Sequence, residues 1–129
     1  MAHDKKKELM AEFCIAYSGI LKKHNLCATS TTGTYIGDAT GLPVTKFLAG
    51  SQGGVQQIVS RIAFNEIDLV LFFDDPIARQ PHEPDIAPLI KTCDMHNIPV
   101  ATNIATAEVL VIGLERGDLA WREIARESR

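Results

Sequence analysis

The sequence predicts an α/β fold of three layers, with helices on both faces of a doubly wound, mainly parallel sheet. Three observations carry that expectation. Short apolar runs alternate with amphipathic stretches along the chain. The clearest run, "IDLVLFF", is nearly all apolar, as a strand covered on both faces should be. Polar loops follow the carboxyl ends of the runs, where open parallel sheets bind ligands. At 129 residues and 14.1 kDa the chain suits one domain, residues 1–129, with a core of its own.

Each element has its own signal. Leu9, Met10, Phe13, Tyr17, Ile20 and Leu21 recur at helical spacing and predict an amphipathic helix over about 5–23. "LCAT" (26–29) reads as a short buried strand, and "STTGTYIGDATGL" as a polar loop entering a short helix that ends at Gly41. "VTKFL" (44–48) is the next strand. A helix follows over about 54–65, with Ile58, Ile62 and Ala63 on its buried face. "IDLVLFF" (67–73) is a strand, and "DDPIARQPHEPD" a proline-rich loop leading to a helix over about 85–96. "IPVAT" (98–102) is a strand and 105–115 a helix. The tail, about 117–129, reads as a partly packed helix anchored by Leu119, Trp121 and Ile124. One irregularity stands out: the first helix has no strand before it. A doubly wound sheet rarely starts on a helix, so a first strand is expected and missing from the sequence.

Composition narrows the function classes. Apolar residues make up 46% and charged residues 22%, which is ordinary globular usage rather than disorder. The formal net charge is −3, and Lys5-Lys6-Lys7 is the only basic cluster, so a nucleic-acid partner is not expected. No apolar run approaches a membrane span and nothing resembles a signal peptide, so the expectation is a cytoplasmic protein. Cys14, Cys27 and Cys93 are expected to be buried free thiols, and His3, His24, His82 and His96 lack metal-ligand spacing.

Four loops could carry chemistry. His3 and Asp4 sit at a helix start, where Asp4 can serve as a cap and Lys7 could reach a phosphate. "TSTTG" (29–33) places hydroxyls and backbone donors between a strand and a helix, which suits an anion or a plain capped turn. "AGSQGGVQQI" (49–58) bends tightly at its glycines, yet the first side chain beyond them is Val55, which can neither move a proton nor bind a metal. "DDPIARQPHEPD" gathers Asp74, Asp75, His82, Glu83 and Asp85 on one stiffened loop. Nothing matches a nucleophile elbow, a Cys/His dyad or a P-loop lysine, which disfavours nucleophilic and nucleotide hydrolysis.

Taken in order, "AHDKK", "ATSTTG", "AGSQGGVQQ", "FFDDP", "QPHEPD" and "IPVATN" resemble methylglyoxal synthase over nearly the whole chain. The resemblance implies a three-layer α/β domain, usually a homohexamer, that converts dihydroxyacetone phosphate to methylglyoxal and inorganic phosphate. It implies no metal and no organic cofactor, with phosphate as an inhibitor. The chemistry needs a carboxylate base, a neutral donor at the carbonyl and an anion cradle for the leaving phosphate. Position by position, Lys7, Thr29, Thr31, Thr32 and Gly50 match the phosphate cradle, and His82 matches the donor to the substrate oxygens. Asp4, Asp75 and Asp85 match the supporting carboxylates, His3 falls at the mouth of the site, and Val55 occupies the position of the base.

Other departures lie near that position. The chain has Ala49-Gly50-Ser51 where the family usually reads Ser-Gly-Pro, and Ser30 where a glycine is usual. Val59-Ser60 replaces a small Gly-Ala pair, and Asp74 a bulky or basic residue. The family's apolar strand before "AHD" is also absent. Extra N-terminal residues, another segment in the slot, or a shortened chain would each account for that. Three functions follow as expectations: an impaired methylglyoxal synthase, a module binding a phosphorylated metabolite without reaction, or an engineered scaffold with a rebuilt pocket or interface.

Overall fold

The computed structural model describes residues 1–122. Its helices are α1 (Lys7–Ala16), α2 (Ser18–Leu21), α3 (Ser30–Thr40), α4 (Gly54–Ala63), α5 (Ala87–Met95) and α6 (Ile104–Glu115). Its strands are β1 (Leu26–Thr29), β2 (Val44–Phe47), β3 (Val70–Leu71) and β4 (Val100–Ala101). Single 3₁₀ turns at Asp4–Lys6 and Gly50–Gln52 precede α1 and α4.

The three layers follow from a strict alternation of side chains. Ala2, Leu71 and Phe73 face one apolar cluster, built with Met10, Phe13 and Cys14 of α1, Ile36 of α3, and Ala107 and Val111 of α6. Met1, Val70 and Phe72 face the other, built with Val55, Ile58 and Ile62 of α4 and Leu89 and Cys93 of α5. Both faces of β3 are therefore covered, which is why its sequence is continuously apolar. Ile62 is fully buried, and burial of such a side chain contributes about 1.5–3 kcal/mol.

Several boundaries differ from expectation for local reasons. The first helix does not run unbroken to residue 23. It ends at Tyr17 (φ −108°, ψ 18°) and resumes as α2, where Ser18 and Gly19 weaken helical preference. The "STTG" stretch is not a loop, because α3 starts at Ser30 directly after β1. It stops at Gly41, whose φ of +73° suits glycine. Ala63 is exposed, lying off the stripe formed by Val55, Ile58 and Ile62. Cys27 is exposed too, whereas Cys14 and Cys93 are buried. Burial pushes both of those thiols up to about 11. In the tail Trp121 is 53% exposed and is no anchor. Arg122 is buried instead, its guanidinium donating to Asn97 O (2.8 Å) and Asp68 Oδ1 (3.3 Å). Ile124 lies outside the described residues.

The sheet is the main departure. β1 pairs in parallel with β2, and β3 in parallel with β4, as two separate two-stranded sheets. Among the described residues, the segment on the other edge of the β3 chain is Met1–His3. It lies parallel to β3 through an Ala2–Phe73 bridge.

Candidate active site

The site forms where the start of the chain, the end of β1, the Gly50–Gly54 turn and the 74–85 loop meet. Two helices begin there without a side-chain cap, α3 after Thr29 and α4 after Gly53. Their first-turn N–H groups and dipoles favour an anion. Gly53 takes φ +100°, and a Cβ on Gly54 would collide with the Leu48 carbonyl, so the two glycines are what let α4 start so close to β2.

Asp4 is the centre of a polar network. Its Oδ1 accepts from Lys7 Nζ at 3.0 Å, and its Oδ2 lies 3.1 Å from His82 Nε2. Hydrogen bonds from Lys7 and then His82 hold the Asp4 carboxyl below the usual carboxylate range. Lys7 is itself buried, and its ammonium also donates to Ala2 O at 2.7 Å. Glu83 ties the network to the loop. Its buried carboxylate accepts from Asp4 N (2.8 Å) with one oxygen and from Gln80 N (2.7 Å) with the other.

These groups open onto a small cleft of about 70 Å³. Asp4, Lys7, Thr29, Thr31, Gly50 and His82 line it, so the structure brings together six of the residues expected at the site. Val55 lines it as well, 3% exposed, beside Met1 and Phe72. Those three make one wall of the cleft apolar.

Four expected residues are placed elsewhere, three of them by bonds of their own. His3 is buried behind the wall and does not line the cleft. Its Nδ1 accepts from Asp75 N (2.8 Å) and lies 3.2 Å from Asp74 Oδ1, while Nε2 faces Pro84 O at 3.1 Å. The Asp75 N–H contact assigns the ring proton to Nε2. Asp75 turns its Oδ1 into its own loop, accepting from Ala78 N (2.9 Å) and Ile77 N (3.2 Å). These bonds, Ala78 first, lower its pKa. Asp85 is exposed and accepts from Ala87 N at 3.1 Å, bracing the start of α5. Thr32 is fully buried in α3, and its Oγ1 has no hydrogen-bond partner among the described residues. Glu83 is the residue that sequence reasoning left without a role. Its place inside "HEPD" hinted at function, but nothing local pointed to a bond with a backbone N–H 79 positions away.

A family model for the MGS-like domain matches residues 10–102. A methylglyoxal synthase of Caldicellulosiruptor saccharolyticus is 63% identical over 124 residues, covering 96% of this chain and 88% of the relative. One of Listeria welshimeri is 56% identical over 126 residues, covering 98% and 94%. The crystal structure of methylglyoxal synthase from Elizabethkingia anophelis superposes with a TM-score of 0.84 at 41% identity, covering 86% of this chain and 73% of that one. Likeness in sequence and likeness in fold each extend over most of the chain, and the chain belongs to the methylglyoxal synthase family.

Proposed function

We propose that this chain binds dihydroxyacetone phosphate or a related phosphorylated small molecule in the family's site, and that it converts it to methylglyoxal and phosphate only slowly. The observation that carries this reading is the state of the carboxylates lining the cleft. There are two, Asp4 and Glu83. Glu83 is occupied by two backbone N–H groups, and Asp4 by Lys7 and His82. Asp4, held in its ionised form by those two hydrogen bonds, is a poor acceptor for a carbon-bound proton, and both Glu83 oxygens already accept backbone N–H groups. Val55, at the position the family resemblance gives to the base, offers none.

The binding half is better supplied. Lys7, the Thr29 and Thr31 hydroxyls and two helix starts can hold a phosphate, and His82 can donate to a substrate oxygen. The exposed apolar side chains Val109 (69%) and Ile112 (44%) on α6 support self-association, a hexamer by resemblance. Free thiols, with no helix among the described residues long and apolar enough to cross a membrane, support a cytoplasmic setting.

The test pairs the chain with Val55→Asp. The variant places a carboxylate in the first turn of α4, where the helix dipole favours it. A positioned general base supplies roughly 10²–10⁴-fold, so methylglyoxal formation from dihydroxyacetone phosphate should rise within that range. Inorganic phosphate should raise the melting temperature of both forms. Fast turnover by the unmodified chain would overturn the impaired reading, and no thermal response to phosphate or triose phosphate would overturn the binding one.

A further inference from the structure

The cleft has a limited supply of hydrogen-bonding groups, and most of them are already engaged. Lys7, the Thr29 and Thr31 hydroxyls and the start of α3 can meet an anion. Asp4 and Glu83 line the cleft too, but both are held. Asp4 is bonded by Lys7 Nζ (3.0 Å) and His82 Nε2 (3.1 Å), and Glu83 accepts from Asp4 N (2.8 Å) and Gln80 N (2.7 Å). Ala49, Val55 and Phe72, which also line it, carry no polar side-chain atom. Val55 and Phe72 belong to the buried cluster of Ile58, Ile62 and Leu89, which fixes that wall as a packed apolar face. Ser51 adds a hydroxyl only at the exposed rim.

We propose that the cleft selects a phosphate monoester whose far end is apolar, a methyl ketone phosphate over the hydroxymethyl ketone of dihydroxyacetone phosphate, and that Val55 determines this specificity. The proposal rests on the binding half of the function proposed above. Hydrogen-bond supply decides the preference. Dihydroxyacetone phosphate brings three polar ends: the phosphate, the ketone oxygen and the terminal hydroxyl. Lys7, the threonine hydroxyls and the helix start meet the phosphate, and His82 meets the ketone oxygen. The hydroxyl sits on the carbon from which the family's base takes its proton, and by resemblance that carbon faces position 55. There it meets Val55 and Phe72, with both nearby carboxylates already engaged. A hydroxyl that leaves water for such a wall loses its partners, whereas a methyl group loses none and covers apolar surface. The cleft is about 70 Å³, so a three-carbon ligand held by its phosphate has little room to turn its far end away. An apolar pocket rejects an added hydroxyl by about 10²-fold at most.

The experiment titrates the whole chain calorimetrically with three ligands: inorganic phosphate, hydroxyacetone phosphate and dihydroxyacetone phosphate. Val55→Thr, nearly the same shape with a hydroxyl on the wall, is titrated beside it, and its melting temperature checks that it folds. The unmodified chain should bind hydroxyacetone phosphate roughly tenfold more tightly than dihydroxyacetone phosphate. Val55→Thr should bring the two esters close to equal affinity, because the added hydroxyl gives the ligand's own a partner. Equal affinities in the unmodified chain, or tighter binding of dihydroxyacetone phosphate, would overturn the selectivity while phosphate binding left the binding reading standing. Failure of all three ligands to bind would overturn that reading and the selectivity with it. A preference unchanged in a folded Val55→Thr would overturn the role given to Val55. Should the variant not fold, the affinity ratio of the unmodified chain still decides the selectivity.

Discussion

The two walls of the cleft are built on opposite principles. On one wall Asp4, Lys7, His82 and Glu83 form a chain of charge-assisted hydrogen bonds across segments distant in sequence. On the other, Val55, Met1 and Phe72 present apolar side chains backed by the α4–α5 cluster. The polar wall can hold an anion and steady a substrate oxygen. The apolar wall can shape a ligand but has no side chain that takes a proton. On the function proposed above, binding falls to the polar wall and proton abstraction to the wall that carries Val55.

The sharpest way to break this contrast is Val55→Asp, which puts a base on the apolar wall. The expected gain in methylglyoxal formation is about 10²–10⁴-fold, read by a coupled assay, and no gain would show that the wall lacks more than a base. Next in size is the ionisable group hidden on that side, the Met1 α-amine. Its folded pKa is lowered from 8.0 to about 6, so the folded state holds fewer protons than the unfolded state between those values. Stability should therefore fall as pH drops from 8 to 6, by about 2–3 kcal/mol. Nα-acetylation should flatten that slope in denaturant titrations at each pH, and an unchanged slope would show that another group causes it.

Glu83→Ala tests the polar wall. It leaves Asp4 N and Gln80 N without their acceptor, which should cost about 1–3 kcal/mol and shrink the thermal response to phosphate. Were stability lost with the phosphate response intact, Glu83 would serve the loop and not the site. The smallest effect is a difference in rate. Under native conditions Cys27 should react with a thiol reagent before Cys14 and Cys93, whose thiols burial pushes up to about 11. Mass spectrometry of partly labelled protein reads the order directly, and early labelling of Cys93 would contradict the packing beneath α5.

Much of this molecule could be read from local pattern. Alternating apolar runs and helical stripes located β1, β2, α4 and α6 within a few residues, because side-chain periodicity is a property of neighbouring positions. Gly41 and Gly53-Gly54 marked a helix end and a tight entry, since glycine readily takes the positive φ of Gly41 and Gly53 and leaves room for the Leu48 carbonyl at Gly54. The ordered motifs located the cleft and placed Val55 at its wall. What they could not decide was how each carboxylate is spent. Asp75, Asp85 and Glu83 look alike as acids on one loop, yet one turns into the loop, one braces α5 and one clamps the Asp4 backbone. The pairing of β1 with β2 and of β3 with β4 is likewise a matter of which edges meet. Periodicity and turn chemistry, being local, were written in the sequence itself. The choice among hydrogen-bond partners and the pairing of strands can join residues far apart, as Leu26 with Val44 and Asp4 with Glu83, so they were decided only when the chain folded.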